Sequence, residues 1–146
     1  MPYNSGQRSA LASAYALDVR QKEMNPIQSQ LREIAKESYL HDLDTTDETE
    51  LEAYFLRIIK IAKEEKEETV SFFRSAIWKE FEHPESMIPF CMRELKWIEV
   101  KNEANKRFED ERSPRLMNWV SDINHAFEKE WNDEEFWPYF RKKNEA

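Results

Sequence analysis

The chain contains a single glycine, Gly6, in 146 residues. Glycine supplies the positive-φ conformations that tight β-hairpins need, so a chain with one glycine is not made of hairpins. The same scarcity excludes the glycine-rich phosphate loop and the dinucleotide-binding fingerprint, which each need several glycines. We therefore predict an all-α fold.

Size and composition predict one domain. A length of 146 residues is near the common domain size, and a hydrophobic fraction of 40% supplies a core and argues against global disorder. No apolar run reaches the roughly 18 residues of a membrane span, and Met1 to Ala10 lacks a signal-peptide pattern. The lone Cys91 has no partner for an internal disulfide. We expect a cytoplasmic protein, one helical domain over residues 1–146 with residues 1–7 flexible.

Apolar residues at helical spacing divide the first half of the chain into helices. The first expected helix covers about residues 9–24, and the second, with a proline in its first turn, covers about residues 26–41. Another stripe extends over residues 48–82 and is interrupted by the charged run Lys63–Glu68. This run is either a solvated part of one helix or a break between two helices. The helical segment that follows the run is expected to end before Pro84.

Capping signals mark the helices of the second half. One helix is expected to follow a Ser86 cap and to reach about Glu111. The next follows Ser113-Pro114, in which serine caps the helix and proline takes its first position. A short final turn is expected within residues 131–140, and its aromatic residues either latch onto the core or contact a partner.

Two architectures fit this pattern of helices. We predict a single-domain helical bundle of about six helices with a short aromatic C-terminal turn. The alternative is a short α-solenoid of three HEAT-like hairpins, because helices one, three and five begin about 39 residues apart, near positions 8, 47 and 86.

Weak patterns for metal binding or catalysis have structural interpretations. Glu80-x-x-His83 and Asp122-x-x-His125 match the spacing of di-iron bundles, but at about 100° per residue each histidine lies off the apolar stripe of its helix. Cys91 lies within an apolar stripe and is interpreted as a buried structural thiol. We therefore predict no catalytic residue, no cofactor and no metal ion.

The net charge of −8 is concentrated in two blocks. Residues 42–68 contain ten acidic and four basic residues, and residues 99–135 contain eleven and six. Such blocks are either solvated faces or surfaces complementary to a basic partner, which speed association and set specificity. The candidate partner-binding residues are the acidic runs within these blocks: Glu64, Glu65, Glu67, Glu68, Glu109, Asp110, Glu111, Asp133, Glu134 and Glu135.

Three classes of function remain. We expect a non-enzymatic protein-binding module, such as an acidic inhibitor or immunity-type protein that occludes a basic toxin or nuclease. The alternatives are a structural or oligomeric helical protein and a small-ligand-binding or enzymatic bundle. The chain has no basic stripe, so direct nucleic-acid binding is not expected, and neither is a membrane partner.

Overall fold

A computed structural model describes residues 25–145, and every regular element in this range is helical. The all-α prediction is therefore confirmed. The expected helix over residues 9–24 and the expected flexible residues 1–7 lie outside the described range. The seven described α-helices are α1 (Pro26–Asp44), α2 (Glu52–Glu64), α3 (Lys66–Ile77), α4 (Met87–Leu95), α5 (Ile98–Glu111), α6 (Pro114–His125) and α7 (Pro138–Glu145), with 3₁₀ turns at Glu48–Leu51 and Glu134–Phe136.

Side-chain caps and prolines fix the starts of α1 and α6. The Asn25 side-chain oxygen accepts hydrogen bonds from the backbone N–H groups of Ile27 and Gln28, at 3.0 and 3.2 Å. Ser113 Oγ accepts one from the N–H of Leu116 at 3.2 Å. Each cap satisfies N–H groups that have no partner inside the helix. Proline follows both caps, as the sequence predicts.

The charged run between residues 63 and 68 contains a break, so residues 48–82 do not form one helix. Glu65 leaves the helical conformation, with φ −132° and ψ 64°, between α2 and α3. No apolar side chain in this run has to be buried, so the chain is able to change direction here. The α3 helix ends at Ile77, well before Pro84, because Lys79 adopts a φ of 56° and closes a Schellman motif.

The expected helix from Ser86 to about Glu111 is also two helices, which corrects the sequence prediction. Lys96 takes the left-handed conformation, with φ 52°, and ends α4 after Leu95. Ser86 precedes α4, but its side chain makes no capping hydrogen bond. The expected final turn within residues 131–140 is longer than predicted, because α7 begins at Pro138 and continues to Glu145.

The helices α1 to α6 run alternately up and down between two ends of the molecule, and α7 runs in the same direction as α6. Glu37 pairs with Arg57 at 3.6 Å and His41 with Glu50 at 3.2 Å, so α1 and α2 are antiparallel. Contacts link α1 to α3 and α3 to α5, and likewise α2 to α4 and α4 to α6. We name the end where α1 finishes and α4 begins the groove end. The opposite end, where α2 finishes and α5 begins, is the junction end.

The C-terminal aromatic segment is part of the core. The ring of Phe90 lies 4.9 Å from that of Trp137 and 4.8 Å from that of Phe140, measured between centroids. Trp131 is also buried, whereas Phe136 is 49% exposed. The segment therefore latches α7 onto α4 and leaves one aromatic ring at the surface. None of the described helices combines the length and the apolar character that crossing a membrane requires.

Candidate functional site

A groove lies at the groove end of the described residues. It consists of two adjoining pockets, of about 650 Å³ and about 290 Å³, which share Glu48 and Glu85 in their walls. The last turns of α1, the first 3₁₀ turn and the segment 79–85 after α3 form the larger pocket. The start of α4, the α6 residue Asp122 and the segment 131–137 form the smaller one.

Negative charge dominates the walls of this groove. Two cations also line it: Lys79, whose Nζ lies 5.7 Å from the centre of the Trp119 ring, and Arg115, which pairs with Glu85 at 3.2 Å. Concave surfaces with charge of one sign focus the electric field and concentrate ions of opposite charge. The seven carboxylates that line the two pockets are Asp42, Glu48, Glu80, Glu82, Glu85, Asp122 and Asp133.

The carboxyl group of Asp122, in the smaller pocket, has a raised pKa. Burial raises the pKa of its carboxyl group, and the negative charges of Asp133 and Glu85 raise it further, against a smaller opposite effect of His125. The lining of this pocket contains no lysine or arginine. A positive group that enters the pocket would therefore relieve the repulsion.

His83 fixes the wall segment after α3. Its imidazole is 8% exposed, with Nε2 2.9 Å from the Ala76 carbonyl oxygen and Nδ1 3.0 Å from that of Pro84. Burial lowers the pKa of this imidazole. Because α3 ends at Ile77, helical geometry does not apply at His83, and its burial corrects the expectation that it lies off the apolar face.

Arg93 fixes the wall of the smaller pocket. Its guanidinium is buried and donates hydrogen bonds to the backbone carbonyls of Ala126, Glu128 and Lys129 and to the Glu134 carboxylate. These bonds hold the segment between α6 and the second 3₁₀ turn against α4. The indole of Trp131 and the carboxylate of Asp133, both in the pocket wall, are thereby kept in place.

The acidic run at Glu64–Glu68, a candidate contact surface in the sequence, lies at the junction end. Glu64, Glu65 and Glu67 are exposed there, at the opposite end of α3 from the groove. Glu68 is half-buried, and both its backbone carbonyl and its carboxylate accept hydrogen bonds from the Gln28 side chain, at 2.8 and 3.3 Å. This run does not contribute to the groove.

The other two acidic runs are divided between separate roles. In the run of Glu109, Asp110 and Glu111 at the end of α5, Glu111 pairs with Arg107 one turn earlier, at 3.0 Å. In the run of Asp133, Glu134 and Glu135, the first residue lines the groove, the second is bound by Arg93 and the third is exposed. Among the ten candidates, the groove therefore includes Asp133.

The other six carboxylates of the groove are absent from the ten candidates predicted from the sequence, although Glu80 and Asp122 belong to the two metal-ligand patterns of the sequence. Asp42, Glu48 and Asp122 belong to the acidic blocks, but no run of acidic residues marks them. Glu80, Glu82 and Glu85 belong to the segment 69–98, whose acidic and basic residues balance. Tertiary packing brings these groups together, and no local pattern in the sequence predicts that they are neighbours.

The carboxylates of the groove are able to attract a positively charged group and to accept hydrogen bonds from it. Within residues 25–145, no group of three or more His, Cys, Asp or Glu side chains is arranged to hold a metal ion. The Cys91 thiol lies in the core, where burial raises its pKa well above the ordinary value. Comparisons of the chain with models of protein families, with curated proteins and with solved structures found no match.

Proposed function

We propose that this protein is a non-enzymatic binding module whose acidic groove receives a positively charged segment of a basic protein partner. The observation that carries the proposal is the set of seven carboxylates, with two cations, around two adjoining pockets. Complementary charge accelerates encounter and selects against acidic partners.

The form of the groove favours a polypeptide segment over a compact ligand. Two pockets in series suit successive side chains of one extended chain, each with its own recess. Phe136, 49% exposed in the wall of the smaller pocket, offers an aromatic surface for an apolar side chain of the same segment. Aromatic side chains are enriched at protein interfaces, and those near the centre contribute most to affinity.

The proposed mode of action is occlusion. If the bound segment belongs to the active site of a toxin or nuclease, whose substrate is itself negatively charged, the groove covers the cations that this substrate needs. The protein then acts as an acidic inhibitor or immunity-type protein and performs no reaction of its own. The proposed location is the cytoplasm, in which a free thiol such as Cys91 stays reduced.

Fluorescence anisotropy with a fluorescein-labelled octa-arginine peptide tests the groove as the binding surface. The double variant Glu48→Lys/Glu85→Lys reverses the two carboxylates that both pockets share. We expect it to bind at least about tenfold more weakly than the wild type at about 0.15 M salt, since two attractive contacts become repulsive.

The matched control is Glu64→Lys/Glu67→Lys, which makes the same change of net charge on exposed residues at the junction end. We expect this variant to stay within about threefold of the wild type, because these charges are farther from the peptide than the Debye length of about 8 Å. An equal loss of affinity in both variants would show that binding is diffuse and would refute the groove as the site.

Self-association is a second candidate function. Leu40 and Leu43, three residues apart on the last turns of α1, are 50% and 66% exposed. Two leucines form a small patch compared with the several hundred Å² typical of stable interfaces. Sedimentation equilibrium of the wild type and of Leu43→Asp tests this alternative, which requires a mass above that of the monomer in the wild type alone.

A further inference from the structure

The final helix, α7, is attached to the rest of the molecule through a small part of its surface. Of its eight residues, Phe140 is buried, whereas residues 141–145 are all exposed. Isolated helices shorter than roughly 12–15 residues are marginal in water, so α7 depends on its contacts with the folded body, residues 25–137. Elements that bury little apolar surface open locally at a lower free energy than the core of a protein.

The segment immediately before α7 is held much more firmly. Trp131 and Trp137 are buried, and Arg93 binds both the Glu134 carboxylate and backbone carbonyls between α6 and the second 3₁₀ turn. Trp137 has extended backbone, with φ −92° and ψ 122°, and Pro138 begins the helix. The bond between Trp137 and Pro138 therefore joins a firmly held segment to a weakly held helix.

Two carboxylates of the folded body fasten α7. At the start of α7, the N–H of Tyr139 donates to the carboxylate of Glu52 on α2, at 3.0 Å. One turn later, the Lys143 ammonium donates to both carboxylate oxygens of Glu94 on α4, at 2.9 and 2.8 Å. The Glu94 side chain is 7% exposed. Burial raises the pKa of this carboxyl group, but the hydrogen bond and the charge of Lys143 outweigh burial and lower the pKa below its ordinary value.

A second lysine reaches the same carboxylate from the folded body. Lys63, on α2, has its Nζ 3.6 Å from Oε1 of Glu94, so Glu94 keeps a cationic partner when α7 moves away. A buried charge that loses its partner is strongly unfavourable, and Lys63 therefore lowers the free-energy cost of opening α7. In the closed arrangement, the ammonium groups of Lys63 and Lys143 also repel each other across one carboxylate.

We propose that α7 is a strap that opens and closes on the folded body, and that Lys63 and Lys143 compete for the Glu94 carboxylate that fastens it. In the closed state, Phe140 covers the ring of Phe90, with 4.8 Å between the ring centroids. In the open state, Lys63 alone holds Glu94, and this face of the Phe90 ring is uncovered one helical turn away on α4. The open state thus presents an aromatic surface beside a carboxylate, independently of what the groove binds.

Amide hydrogen exchange of the 146-residue protein, followed residue by residue by NMR, tests the strap. We expect the exchange rates of residues 141–144 to be insensitive to low concentrations of urea, unlike those of α2 and α4, because a local opening exposes little surface. Lys143→Gln should accelerate exchange of these amides about fivefold, through loss of a charge-assisted hydrogen bond. The matched control Lys142→Gln removes the same charge from an exposed neighbour and should change the rates by less than about 1.5-fold.

The variant Lys63→Gln tests the competition, because its expected effect has the opposite sign. Opening of α7 then leaves the Glu94 carboxylate without Lys63, so exchange of residues 141–144 should slow by about threefold. Equal or faster exchange in Lys63→Gln refutes the competition. If residues 141–144 exchange with the urea dependence of α2 and α4, α7 opens only when the whole protein unfolds, and the strap is refuted.

Discussion

Replacement of Arg93 by methionine removes a guanidinium that holds the wall segment of the groove to α4. The Arg93 side chain is 7% exposed and its partner Glu134 is 23% exposed, with 3.1 Å between the charged atoms. Methionine keeps the apolar stem and removes every donor. The substitution therefore tests the polar contacts and leaves most of the packing of residue 93 unchanged.

The magnitude follows from the partners that are left behind. The Ala126 carbonyl belongs to a fully buried residue, so its loss of a donor at 3.2 Å costs about 1–3 kcal/mol. The carbonyls of Glu128 and Lys129 belong to exposed residues, so water replaces the donor there. A fully buried ion pair that loses one partner costs about 3–5 kcal/mol, and the partial exposure of Glu134 reduces this contribution. The expected loss is about 3–4 kcal/mol, a large share of the roughly 5–15 kcal/mol that stabilises a domain.

Urea unfolding monitored by circular dichroism measures this loss, and a double-mutant cycle with Glu134→Gln separates the ion pair from the carbonyl contacts. In the Glu134→Gln background, we expect the cost of Arg93→Met to fall by about 1–2 kcal/mol, because the carboxylate is already absent. A cost of Arg93→Met below about 1 kcal/mol, with an unchanged m-value, refutes the assigned role. Strict additivity in the cycle refutes the ion pair.

Three further substitutions test other details. Lys96→Gly should stabilise the protein by about 0.5–1 kcal/mol, because φ at Lys96 is 52° and glycine adopts this conformation without steric cost. Lys96→Ala keeps Cβ and should not stabilise the protein. Equal urea midpoints of the two variants would contradict this prediction. Ser113→Ala should cost about 1 kcal/mol in the same assay through loss of the α6 cap. Burial disfavours the charged form of Glu103, but bonds from Trp78 and Arg74 outweigh it and lower the pKa. Its stabilisation is present above the unfolded pKa of about 4.5 and is lost as pH falls through the lower folded value. In Glu103→Gln, the free energy of unfolding should therefore fall less steeply than in the wild type as pH is lowered below about 4.5.

The sequence predicted helix starts better than helix ends, for a physical reason. The start of α6 depends on a side-chain oxygen and a proline beside it, so the local sequence specifies it. The ends of α3 and α4 depend on left-handed backbone at Lys79 and Lys96, a conformation that usually indicates glycine. The scarcity of glycine correctly excludes hairpins, yet it does not exclude tight helix ends. Lysine takes the conformation here, and tertiary packing outweighs its cost.

The groove was beyond sequence reasoning because its residues are dispersed along the chain. Its carboxylates come from the end of α1, the first 3₁₀ turn, the segment after α3, the last turn of α6 and the residue before the second 3₁₀ turn. The breaks after Glu64 and Leu95 set which helix ends meet, and the sequence does not indicate the second break. An acidic run is conspicuous in a sequence, whereas a cluster formed by packing is not.

On the proposed function, we expect a cationic segment to bind where carboxylates lack nearby cations, and not simply where the net charge of the sequence is most negative. Two carboxylates from the conspicuous runs already have partners: Glu134 is held by Arg93, and Glu111 by Arg107. In the smaller pocket, by contrast, Asp122 has a raised pKa because of burial and neighbouring negative charges. A bound cation favours the charged form of Asp122, so binding should release protons, and affinity should fall as pH approaches this raised pKa from above. Titrations of octa-arginine at several pH values, with Asp122→Asn as the control, measure this linkage. If the acid branch of the affinity curve is unchanged in Asp122→Asn, Asp122 does not contact the cation.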